Sequence, residues 1–406
     1  MPFNISLSGL NAASSDLEVT ANNIANVNTT GFKQSRAEFA DLFAVSAQDV
    51  SATAIGNGVR VAAVAQQFGQ GNIEYTNNSL DLAISGKGFF TVRSSSGLAY
   101  TRAGTFHPDR DGFVVNPQGE RLQVYPPTAA GGFDISTLKD LQLITSQSAP
   151  KASTSAQLQL NLPADATPPA TATFNPADPT SFNQSTAFTV YDSLGATHTA
   201  TLYFVKDAAN NTWDTHLYLD GNAAGPAQQV VFSQNGALQS PANGQVAFPA
   251  QTVNPGAAPL ALTLNFSNAT QYGNAFSVTG IQQDGYATGR LSGIEVGSDG
   301  VVSARFSNGQ SSALGQVALA SFADPQALQQ LGNTSWGETF QSGQAVRGTA
   351  GTGNLGEIQS GALEASNVDL TAELVNMIKA QRNYQANAQM ISTDDKITQT
   401  VINMHG

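Results

Sequence analysis

The chain has 406 residues, too many for one ordinary hydrophobic core, so roughly two to four domains are expected. Charged residues make up only 11% of it against roughly 25% in an average soluble protein. The balance is acidic, with 29 Asp plus Glu against 17 Lys plus Arg and no cysteine, which argues against a nucleic-acid partner, an anionic membrane surface, disulfides and thiolate chemistry.

The opening MPFNISLSGLNAASSDLEVT has no basic start and no apolar run, so it does not read as a cleaved secretory leader. Phe3, Leu10, Leu17 and Ile24 recur every seven residues, with Leu7, Ala13, Ala21 and Val27 beside them. That period predicts a helix with a narrow stripe of the coiled-coil kind, capped by Asn4. It ends in ANNIANVNTTGFK, where Asn22, Asn23, Asn26 and Asn28 surround Ile24 and Val27. Asparagine amides compete for nearby backbone groups, so the run predicts a helix loosening toward Gly31. These amides are expected either to hydrogen-bond within and between subunits or to solvate a helix end.

Next the period falls to two. LDLAISGKGFFTV alternates through Leu80, Leu82 and Ile84, and core is expected for both Phe89 and Phe90. Pro, Ala, Ser and Thr without periodicity at 145–172 predict a domain boundary. Strand patterns resume in STAFTVYDSLGATHTATLYFV, with a turn at Asp192–Gly195, and in NTWDTHLYLDGN. SDGVVSARFSNGQ alternates through Val302, Ala304 and Phe306 between Asp-Gly and Asn-Gly turns, a hairpin signal. Near the end Leu370, Met377, Tyr384 and Ile391 repeat by seven, joined by Leu374 and Ile378 and followed by Met390, Ile397, Val401 and Met404. This predicts a second long helix, entered through a shortened capping box at Ser366 and Asp369.

The expected fold is mainly β with α-helical termini: nested β domains, the middle one inserted into an inner one, and terminal helices forming a coiled-coil-like layer. The expected divisions are 1–30 with 363–406 as a helical polymerisation domain, 31–71 with 350–362 as a connector, 72–144 with 285–349 as the inner β domain, and 145–284 as the inserted outer domain. Stripes this narrow do not offset the ordering of long helices, so frayed ends that fold when subunits meet are predicted.

Catalytic signals are weak. No Asp, Glu, Lys, Arg or His lies between Gly221 and Gln283. The four histidines show no metal-ligand spacing; His198 and His216 read as polar strand residues that could meet across strands. GTGNLG at Gly351, Gly353 and Gly356 matches a dinucleotide fingerprint by letters, but no apolar strand precedes it and no helix follows. No enzyme, cofactor or metal is expected, and no membrane span. The rival classes are a secreted β-rich adhesin or glycan-binding module and an extracellular hydrolase.

SGLNAASSDLEVTANNIANVNTTGFKQSR, DLAISGKGFFTV, YTRAGTFHPDRDGFVVNPQGERL and the closing GALEASNVDLTAELVNMIKAQRNYQANAQMISTDDKITQTVINM resemble, in order, the shared segments of the axial proteins of the bacterial flagellum, the rod, hook and hook-associated family. FNPADPTSFNQSTAFTVYDSLGATHTATLYF is similar to the middle domain of the hook members, whereas a distal rod protein is shorter. The resemblance implies a structural subunit that self-polymerises into a curved, hollow universal joint carrying torque from rod to filament. It also implies export through the flagellar type III apparatus without a cleaved leader, an extracellular location, and contacts with a distal rod protein, a hook cap and a hook-filament junction protein. The expected subunit contacts are Phe3, Leu10, Leu17, Asn22, Asn23, Ile24, Asn26, Val27, Leu370, Leu374, Met377, Ile378, Tyr384, Ile391, Ile397 and Val401.

Overall fold

A computed structural model describes residues 2–42, 56–143 and 147–405. The chain is mainly β, with one long helix near each end: α1 spans Pro2–Ala25 and α2 spans Leu370–His405. Both are continuous in the single chain, where the narrow stripes predicted fraying. The helix starts at Pro2, ahead of Asn4, so Asn4 is not its cap. Asp369 alone caps α2: its Oδ1 accepts from the amides of Thr371 at 2.8 Å and Ala372 at 3.1 Å, while Ser366 Oγ accepts from Val368 N outside the helix.

Two compact units divide the chain. The first takes residues to Thr145, Gly293–Arg305 and everything from Ser311 onward. Its large sheet runs through strands Val301–Phe306, Ser311–Val317, Arg121–Tyr125, Phe89–Ser94, Gly97–Thr101 and Ser335–Gly337. Val301–Phe306 and Ser311–Val317 form the expected antiparallel hairpin, closed at Gly309, whose φ of 79° suits glycine. Phe89 and Phe90 point to opposite faces of their strand, as strand geometry requires, and both are buried. Phe90 joins Leu82, Val92 and Leu122 in one cluster, while Phe89 joins Tyr100, Phe322 and Trp336 in another. Leu82, Ala83 and Ile84 are all buried, so this short strand is covered on both sides and the alternation read from the sequence is not expressed there.

The second unit takes Ser146–Ser292 with Phe306–Gln310. A six-stranded sheet containing Gln184–Tyr191, Thr197–Lys206 and Thr212–Leu219 and a five-stranded sheet centred on Ser155–Pro163 share one core of Trp213, Phe204, Phe232, Phe266 and Leu158. The alternating burial of Ser155–Pro163 and Thr197–Lys206 is the signature of strands with one face inward. Asp192 shapes the expected turn, its Oδ1 accepting from Leu194 N and Ala196 N.

Candidate self-association surface

The two helices pack against each other in antiparallel register. Asn23 bonds Glu373, and a side chain on Gly9 would strike Asn387, so advancing fourteen residues backward on α1 advances fourteen forward on α2. The α1 side of the seam is Ser6, Gly9, Ala13, Asp16, Thr20 and Asn23, a spacing of three and four built from small or polar residues. On α2 it is Glu373, Met377, Ala380, Tyr384, Asn387, Ile391 and Asp394. The register runs out near Asp394, and Asp395–Thr400 is exposed throughout.

Apart from Met377, Tyr384 and Ile391, the large apolar residues lie off this seam. Phe3, Ile5 and Leu7 on α1 are exposed, as are Leu370, Leu374, Val375, Ile378, Tyr384, Met390, Ile397, Ile402 and Met404 on α2. Leu10, Leu17, Ile24, Val27, Met377 and Ile391 are half-buried. Val401 lies on α2 with its side chain outside the described residues. Completing the burial of these twelve exposed side chains would yield about 1 kcal/mol each, on the order of 10 kcal/mol for the set. The intramolecular pair therefore satisfies the small and polar positions and leaves most of the apolar ones open.

The asparagines divide by role. Asn23 is buried, accepting from Ser35 N at 2.9 Å and donating to Ser35 O at 2.7 Å and Glu373 Oε2 at 3.1 Å. Gln34 extends the network by donating to Glu373 Oε1 at 2.8 Å and, through its backbone amide, to Asn367 Oδ1 at 2.8 Å. Asn22 is exposed; Asn26 donates back to its carbonyl and accepts from Thr29, loosening the helix end into the turn at Gly31. Gly31 has φ 70°, and a Cβ there would lie 2.5 Å from Ala103 N.

Just beyond that turn Lys33, the first base of the chain, is fully buried with Glu364, Nζ to Oε1 at 2.6 Å. Lys33 also donates to Gly69 O at 2.8 Å, Gly71 N donates to Glu364 Oε1 at 2.9 Å, and Arg102 stands 3.3 Å from Oε2. Burial pushes the Lys33 ammonium below the usual lysine value, against the pull of Glu364. This knot ties both helical legs to the β unit at their root. Sequence reading singled out neither Glu364 nor Arg102; the only signal was one lysine closing a base-free stretch.

Four family descriptions match in chain order: "Flagella basal body rod protein" over 3–33, "Flagellar hook protein FlgE/F/G D1 domain" over 83–170, "Flagellar basal body protein FlaE D2 domain" over 161–286, and "Flagellar basal body rod FlgEFG protein C-terminal" over 359–404. With the whole of both chains covered, identity is 41% to the flagellar hook protein FlgE of Salmonella typhimurium and 40% to that of Escherichia coli. The chain belongs to the flagellar hook protein family. The FlgE of Borreliella burgdorferi is 33% identical over 98% of each chain. The crystal structure of Helicobacter pylori flagellar hook protein FlgE2 aligns over 72% of this chain and 100% of that one with a TM-score of 0.54 at 14% identity, a likeness of fold.

In this hook-family chain the histidines do not meet. His216 stacks on Phe174 at 3.9 Å, whereas His198 places Nδ1 2.6 Å from Asp220 Oδ2 and Nε2 3.3 Å from Asp192 Oδ2. Burial opposes the charge on His198, but its bonds to the two carboxylates prevail and raise its pKa. A ring with both nitrogens engaged by carboxylates is a structural staple, with no free nitrogen for general-base work or metal ligation.

Proposed function

We propose that the chain is the repeating subunit of a flagellar hook, polymerising through its paired terminal helices into a curved, hollow tube that acts as a universal joint. The observation that carries this reading is the helix pair whose α1 seam is small and polar and which leaves twelve large apolar side chains exposed. A monomeric adhesin or hydrolase has no use for such a face, and hook relatives matched over their full length favour a hook subunit over a distal rod protein. Phe3, Leu10, Leu17, Ile24, Val27, Leu370, Leu374, Met377, Ile378, Tyr384, Ile391, Ile397 and Val401 supply the apolar subunit contacts. Of the asparagines Asn22 is exposed to neighbours, whereas the amides of Asn26 and Asn23 already bond within their own chain.

In this reading 1–30 with 363–406 forms the inner tube, 31–71 with 350–362 connects it, and 72–144 with 285–349 and 145–284 form successive outer layers. Uncharged polar outer faces shift register without separating buried ion pairs, which is what bending requires. Distal rod protein, hook cap and hook-filament junction protein are its neighbours, and the flagellar type III apparatus exports it. No bond is made or broken. Deleting 1–30 or 365–406 should leave a soluble chain unable to form tubes under assembly-promoting salt; tubes formed by either deletion, seen by electron microscopy, would refute the reading.

A further inference from the structure

In the first unit the turn Thr339–Gly343 is fastened by its own hydroxyls. Ser342, fully buried, accepts from Thr339 N at 2.9 Å and donates to Thr339 O at 2.9 Å; Thr339 Oγ1 accepts from Ser342 N at 3.0 Å and donates to Ala327 O at 2.8 Å. At the tip of this braced turn Phe340 is 102% exposed, touching nothing of its own chain. Two residues earlier Glu338 is exposed, accepts from Tyr100 OH at 3.3 Å and is in no ion pair among the described residues. A braced turn that holds an aromatic ring in water leaves only the side chain's own rotamers to be ordered on binding, which is the character of an interface anchor.

Elsewhere on the same unit a cleft of about 490 Å³ is lined by Phe113, Pro126, Pro127, Leu138 and Leu314 together with the polar Asp140 and Gln142, and Arg121 lies over the Phe113 ring at 3.9 Å. Its rim carries Arg93, held by Asp140 at 3.3 Å, and Lys139, which is exposed and in no ion pair among the described residues. A cleft with apolar side chains and an exposed cation matches an aromatic ring beside an exposed anion. One chain holds both halves, as a head-to-tail contact between identical copies demands.

We infer that Phe340 of one copy plugs the Phe113–Leu138–Leu314 cleft of a second copy, with Glu338 facing Lys139. The inference rests on the polymer reading above. It adds a lateral fastening between β units that is independent of the terminal helices.

The test uses the full chain. Because Phe340 is fully exposed, Phe340→Ala should leave the monomer's melting temperature unchanged and raise the critical concentration for assembly roughly tenfold. A photoreactive p-benzoylphenylalanine in place of Phe340, irradiated in assembled polymer, should cross-link to a neighbouring copy within peptides containing Phe113, Leu138 or Leu314. Charge reversal by Glu338→Lys should weaken assembly, and pairing it with Lys139→Glu should restore it. An unchanged critical concentration for Phe340→Ala, or cross-links confined to other peptides while the polymer forms, overturns the plug and leaves the polymer reading intact. Failure of the unaltered chain to assemble overturns both.

Discussion

Replacing Lys33 by Met tests whether the buried knot at the root of the helices fixes the terminal layer to the β unit. The ammonium lies 2.6 Å from Glu364 with both side chains fully buried. Breaking a buried pair by removing one partner costs about 3 to 5 kcal/mol, because the remaining charge loses its compensation. Here Glu364 keeps Arg102 at 3.3 Å and the Gly71 amide at 2.9 Å, so a loss near the lower end, about 3 kcal/mol, is expected. The chain has two tryptophans, Trp213 in the second unit and Trp336 in the first, so a Trp213→Phe background makes urea unfolding followed by fluorescence report the first unit alone. A cycle with Glu364→Gln should show the two losses to be strongly non-additive. A loss below about 1 kcal/mol for Lys33→Met, or simple additivity, would refute the reasoning, since neither is compatible with a desolvated pair.

Leu374→Asp and Ile378→Asp fall on half-exposed positions, so each should change monomer stability by no more than about 0.5 kcal/mol and yet abolish tube formation measured by sedimentation. Asp16 sits on the helix seam with its pKa raised by burial and then by Glu373. A raised acid stabilises the fold fully below its unfolded pKa and loses that contribution as pH rises through the folded value, so Asp16→Asn should raise the melting temperature of the first unit at pH 7 and lose its advantage in acid. His198 has the opposite charge and also a raised pKa: its contribution is present below the unfolded histidine pKa and fades as pH climbs through the folded one. Unfolding of the second unit, followed by Trp213, should therefore become easier between pH 6 and alkaline pH, and His198→Asn should flatten that slope.

Much of the architecture was written in local pattern. Hairpins announced themselves through Asn308-Gly309, the turn at Asp192–Gly195 through its Asp and Gly, and the two helices through their period of seven. What periodicity could not disclose was which stripe faces which partner. Phe3 and Leu7 are exposed, and within one chain the covered stripe is Ser6, Ala13 and Thr20, of which the period of seven picked out only Ala13. Asn22 and Asn23 are indistinguishable as letters, but one residue is 100° around a helix, enough to separate an exposed amide from one bonded to Ser35 and Glu373. Lys33 and Glu364 were unreadable as a pair because 331 residues separate them and only the return of the strand Ala362–Glu364 beside Ile73–Tyr75 brings them together.

The unequal lengths of the helices have a directional consequence. Past Asp394, α2 continues alone for about eleven residues, roughly 16 Å, carrying Ile397, Ile402 and Met404 uncovered. In a pile of like molecules each bare tip needs the flank of the molecule above or below, so one extremity of the pile always displays unclaimed tips and the other displays unclaimed flanks. Those two extremities then offer an arriving molecule different surfaces, giving the object a front and a back.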